Sequence, residues 1–85
     1  MNRVIKKLGI NNIHNRGIRG KGITVAVLDS GISRHLDFDN RIIYFRDFVK
    51  ERHGIYDDEG HGTHVSGIIA GSGFASHGRY RGMAP

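Results

Sequence analysis

The chain contains no cysteine, which removes any disulfide scaffold, any thiolate zinc site and any cysteine nucleophile. Long apolar runs are missing too. The longest stretch, Ile23 to Leu28, is already interrupted by Thr24 and falls far short of the roughly 18 apolar residues of a membrane span, so no membrane partner is expected. Acidic residues are absent from the first 21 positions, where six of the 13 Lys and Arg lie. No aromatic is interleaved with those cations for base stacking, so a solvated helix face and loop is the better reading and a nucleic-acid partner is disfavoured. Arg3, Lys6 and Lys7 are followed by Gly9, Asn11, Asn12 and His14, which deny the apolar core of a secretory signal. If Met1 is the true start, a cytoplasmic location is the expectation.

What is present suits a packed chain: 85 residues, 38% hydrophobic and 25% charged, enough for at most one small domain. Val4, Ile5 and Leu8, then Ile10 and Ile13, recur at helical spacing until Gly17. Ile23-Thr24-Val25-Ala26-Val27-Leu28 is β-branched and almost wholly apolar, as in a parallel-sheet strand buried on both faces. Arg41 to Phe48 reads as a second strand, Lys50 to Gly60 as a polar loop, His61 to about Ala70 as a helix, and Gly71 to Pro85 as loop. Gly67 and Gly71 each cost a helix interior about 1 kcal/mol relative to Ala. With Ala70 they shave one face, so the helix backbone is expected to lie very close to a sheet.

Asp29 follows directly on the apolar run, and reacting groups collect at the carboxyl ends of strands in open α/β sheets. Asp-Ser-Gly is also a common turn in which the aspartate holds backbone N–H groups. His61 and His64, three apart at a helix start, share a face and suit a base, a metal ligand or a structural role. A general base needs a fixed tautomer and a partner that stabilises its imidazolium, and an aspartate supplies both. The positive end of a helix dipole opposes imidazolium formation at His61, and the Asp29 carboxylate would counter that field.

Gly20 to Ile32, with Val27-Leu28-Asp29-Ser30-Gly31 at its end, resembles the segment around the catalytic aspartate of the subtilisin-like serine proteases, the subtilases. Gly60-His61-Gly62-Thr63-His64-Val65-Ser66-Gly67 is similar to the segment around their catalytic histidine, and Gly82-Met83-Ala84-Pro85 resembles the Gly-Val-Ala-Pro that follows it. The resemblance implies a subtilisin-like α/β fold, a parallel sheet with flanking helices, of which residues 1–85 form an incomplete N-terminal segment of the catalytic domain. It implies a serine endopeptidase that acts on protein or peptide substrates, with Asp29 orienting, His61 as general base and His64 a structural neighbour. A propeptide is a further partner the family suggests. The nucleophile and the oxyanion-hole asparagine of the family lie in motifs not found here, and Ser30, Ser33, Ser66, Ser72 and Ser76 sit in no such context. The chain by itself is therefore expected to be inactive.

Asp37 in His35-Leu36-Asp37-Phe38 matches an aspartate that binds calcium in many subtilases, but residues 71–82 contain no carboxylate, so no cofactor is expected. Two rival readings differ in class. A metal hydrolase would draw on Asp57, Asp58, Glu59, His61 and His64, yet zinc proteases separate their two helical histidines by four, with a glutamate between. A truncated, non-catalytic subtilase relative would serve as a binding module.

Overall fold

The computed structural model describes residues 2–52 and 54–85. At the amino end α1, Asn2–Leu8, and α2, Ile10–Asn15, replace the single helical run that the apolar spacing suggested. Gly9 makes the break: it sits in the left-handed region at φ 69°, where a glycine carries no steric penalty. Helices of seven and six residues are too short to persist alone, so their contacts elsewhere matter. Ile5 buries its side chain, His14 donates from Nε2 to the Met83 carbonyl at 2.7 Å, and Arg81 reaches Asn11 Oδ1.

Between residues 17 and 60 the only regular element among the described residues is a 3-10 turn, Leu36–Phe38. Segments 23–28 and 41–48 form neither helix nor sheet ladder. A strand is defined by the neighbour that takes its N–H and C=O groups, and here Ile23, Val25, Leu28, Ile43 and Phe48 remain exposed. The radius of gyration, 13.5 Å, exceeds the roughly 12 Å of a compact chain of this length. Accessible surface is 6729 Å², against about 5000 Å² for a folded monomer of this mass. The exposed Ile23, Val25, Leu28, Ile43 and Phe48 contribute to the larger surface.

Helix α3, His61–Ala70, lies where the sequence placed it. Its shaved face receives Phe38, whose ring edge stands 3.9 Å from where a Gly67 Cβ would be, and the tail from Gly82. A Cβ on Gly82 would stand 2.5 Å from the Gly67 carbonyl oxygen, so the tail approaches the helix backbone as closely as glycine allows. The last four carbonyls of a helix have no partner inside it, yet all four are met here. Gly67 accepts from Gly71 N–H at 3.0 Å, and Ile68 and Ile69 accept from Met83 and Ala84, each at 2.9 Å. Ala70 accepts from Arg41 Nη1 at 2.7 Å, and the other arm of that guanidinium meets the Pro85 carbonyl. Gly82-Met83-Ala84-Pro85 is thus the carboxyl-terminal cap of α3, a role that its sequence alone does not disclose.

Candidate active site

Asp29 is the first residue after the extended run, and His61 is the first residue of α3. The fold brings them together: His61 Nδ1 lies 2.8 Å from Asp29 Oδ1 and 2.9 Å from Oδ2. An ionised carboxylate only accepts, so Nδ1 carries the hydrogen and the imidazole lone pair is left on Nε2. The Asp29 side chain is 19% exposed and that of His61 68%, so the carboxylate is the less accessible partner in a residue that is exposed as a whole. The His61 hydrogen bond, helped by the Ser30 N–H at 2.7 Å from Oδ1, holds the Asp29 carboxyl below its usual range. The same bond with Asp29, and the charge of that carboxylate, lift His61 above the ordinary imidazole value.

Two close backbone crossings fix this meeting. A Cβ on Gly62 would stand 2.1 Å from the Gly31 carbonyl oxygen, and a Cβ on Gly31 2.1 Å from that of Tyr56. Gly31 also adopts φ 130°, a conformation that other residues rarely hold. Ile32 N–H bonds the Tyr56 carbonyl at 3.1 Å, while the Tyr56 hydroxyl is tied to Asp47 Oδ2. Asp47 also folds the adjoining loop, accepting the Val49 and Lys50 amides at 2.9 Å each.

The amino end of α3 leans on residues that the sequence motifs did not assign. Asp57 Oδ1 accepts from Ser30 Oγ at 2.8 Å, Gly60 N–H at 2.8 Å and Glu59 N–H at 3.2 Å. Its Oδ2 accepts from Thr63 N–H at 2.9 Å and Thr63 Oγ1 at 2.5 Å. Ser30 Oγ in turn accepts the Gly62 N–H at 2.9 Å, and Thr63 Oγ1 the Ser33 N–H at 2.9 Å. The readable signal was an acid four residues before the helix start, and the metal reading gave it a different part.

His64 does not join the pair. It is exposed, and lines a cavity of about 240 Å³ with His35, Asp37 and Phe38. Asp58 pairs with Lys50 at 3.6 Å and Arg52 at 3.4 Å, away from His61. Asp37 Oδ1 accepts the Ala75 N–H at 2.8 Å and the Asp37 carbonyl accepts the Ser72 N–H at 3.0 Å, so this residue fastens the 71–82 loop through amides.

An exposed imidazole whose Nδ1 is held by a carboxylate is an arrangement capable of general acid–base chemistry. The Subtilase family profile matches residues 20–85. "Serine protease AprX" of Bacillus subtilis (strain 168) is 54% identical over 68 residues, 80% of this chain and 15% of its own length. "Subtilisin Savinase" of Lederbergia lenta is 51% identical over 57 residues, 67% of this chain and 20% of its own. "Major intracellular serine protease" of Bacillus subtilis (strain 168) is 44% identical over 75 residues, covering 82% and 23%. The chain belongs to the subtilase family. It spans less than a quarter of the length of each of these relatives. No solved structure matches it.

Proposed function

We propose that this segment supplies the aspartate and histidine of a serine endopeptidase, within a parallel α/β domain whose remaining strands cover residues 23–28. The observation that carries the reading is the two-pronged contact of Asp29 with His61 Nδ1. It fixes the tautomer and leaves Nε2 open; among the described residues Nε2 has no partner. Nε2 then takes the proton from a serine hydroxyl supplied by another part of the protein as that oxygen attacks a peptide carbonyl. His61 returns the proton to the leaving amine, and Asp29 stabilises the imidazolium between those events. Protein or peptide chains are the substrates that this chemistry serves, and the relatives' names agree. Asp37, with Oδ1 and its carbonyl on loop amides and no second carboxylate in residues 71–82, works without calcium in this reading, since calcium takes six to eight oxygens.

The test is acylation by a protein that carries this segment together with the serine motif. In subtilisin, the family's type enzyme, loss of the histidine costs about 10⁶ in kcat and loss of the aspartate about 10⁴, and those figures are adopted as the scale. Asp29→Asn should retain more activity than His61→Ala, because serine without its base loses proton transfer altogether. His64→Ala should act mainly through stability. A dead His64→Ala enzyme beside a near-parental His61→Ala would overturn the assignment.

A further inference from the structure

We propose that Asp57 is a positioning residue for the Asp29–His61 couple, acting through the hydroxyls of Ser30 and Thr63. The inference rests on the endopeptidase reading above. Its basis is a pair of relays that run in opposite directions. Ser30 follows Asp29; its hydroxyl donates to Asp57 and accepts the amide of Gly62, the residue after His61. Thr63 lies on α3; its hydroxyl donates to Asp57 and accepts the amide of Ser33, in the loop that carries Asp29.

A hydroxyl has one hydrogen, and where it points decides which lone pairs are left. Both hydrogens are drawn to one carboxylate, which leaves a lone pair of each hydroxyl to accept an amide of the opposite segment. Asp57 therefore sets two cross-links between residues 30–33 and 62–63, with the Gly31–Gly62 backbone contact between them. Asp29 and His61 each adjoin the first of these links, so their separation is fixed by it and not by their own contact alone.

Accepting from two hydroxyls and three amides requires an ionised carboxylate. The Thr63 hydroxyl first, and the Thr63 and Gly60 amides with it, hold Asp57 far below the usual carboxylate range. A simple helix cap would need only the amides of Gly60 and Thr63. The Ser30 link is what makes Asp57 more than a cap, and it can be cut without changing any charge.

The experiment uses a protein carrying this segment and the serine motif, with Ser30→Ala, Ser30→Thr, Asp57→Asn and the Ser30→Ala/Asp57→Asn pair. Ser30→Ala should lower kcat by roughly 10- to 100-fold with KM little changed, the scale of a misplacement of about 1 Å at a reacting centre. Ser30→Thr restores the hydroxyl and should recover most of the rate. The double variant should be no slower than Asp57→Asn, because both cut the same link. In parallel, a ring-proton NMR titration of His61 in Ser30→Ala should show its pKa falling toward the ordinary value, a readout that needs no turnover.

A Ser30→Ala enzyme with parental kcat and an unmoved His61 titration would overturn the inference, even if its melting temperature dropped. Should Asp57→Asn fail to fold, the two Ser30 variants alone decide. An Asp29→Asn enzyme with parental kcat would instead overturn the endopeptidase reading, so the two failures are distinct.

Discussion

The two ends of α3 and the apolar run at residues 23–28 show two ways in which a sequence makes structure. Every carbonyl of the last helical turn finds a donor within the chain, and Gly62 and Thr63 at the other end find Ser30 and Asp57. The run from Ile23 to Leu28 is richer in apolar residues, yet Ile23 is 73% exposed and Leu28 89%. A helix closes its hydrogen bonds locally and needs partners only at its ends, whereas a strand needs a neighbour along its whole length. High apolarity is therefore a demand on the rest of the protein, while a capped helix is already provided for.

The sharpest way to break this comparison is a charge in the run. Val25→Asp should stop a complete domain from folding, because an unpaired carboxylate in a sheet buried on both faces costs several kcal/mol. In the isolated 85-residue chain the same change should leave the circular dichroism of α3 unchanged and reduce self-association, since Val25 is already 55% exposed. Sedimentation of both proteins checks this, and a soluble, active Val25→Asp domain would remove the case for a buried strand.

Glycine to alanine on α3 sharpens it further, because the same change should have opposite signs at two positions five residues apart. At Gly62 the new Cβ would meet the Gly31 carbonyl oxygen at 2.1 Å, so the amino end must shift, at a cost of about 1–3 kcal/mol, and His61 with it. At Gly67 the nearest atom is Phe38 Cζ at 3.9 Å, ordinary contact, and the helix gains up to about 1 kcal/mol. Thermal melts of the two variants in the complete domain should move in opposite directions.

These variants also mark what the sequence disclosed. Asp29, His61 and the bounds of α3 were legible because a short motif carries each. Ser30, Thr63 and Asp57 were not, since a hydroxyl's part depends on which lone pair faces which distant amide, and no periodicity records that. Gly67 was read as a shaved position facing a sheet, and here Phe38 and the tail from Gly82 lie against it. Gly9 escaped notice as a helix break because a single glycine inside a helical spacing is tolerated, and its left-handed turn, free of steric penalty for glycine, leaves no mark on the apolar periodicity.

A smaller effect is expected in pH dependence. Asp29 raises the His61 pKa, so the acidic limb of kcat/KM should lie above the ordinary value of about 6.5, and activity should rise as His61 loses its proton. Asp29→Asn should move that limb to lower pH while reducing the plateau. For stability the signs are separate: the raised His61 favours the fold below about pH 6.5 and loses its contribution as pH rises through its folded value. The lowered Asp29 contributes above about pH 4 and loses it on acidification. The pair should therefore support the fold most between those values.

The smallest expected effect is none, and it concerns the loop that packs beside α3's carboxyl end. In the complete domain, a calcium chelator should leave the melting temperature where it was, and added calcium should not raise it. The reason lies in the donors: Asp37 Oδ1 faces the Ala75 N–H, its carbonyl faces the Ser72 N–H, and the loop brings His77, Arg79 and Arg81 in place of carboxylates. Asp37→Ala should still cost about 1 kcal/mol, the net worth of a hydrogen bond, because an amide does here what a cation would otherwise do. A bound ion would behave differently, since anything that binds only the folded state raises its melting temperature as concentration increases. A calcium-dependent rise that Asp37→Ala abolishes would place an ion at this loop and reverse the reading of Asp37.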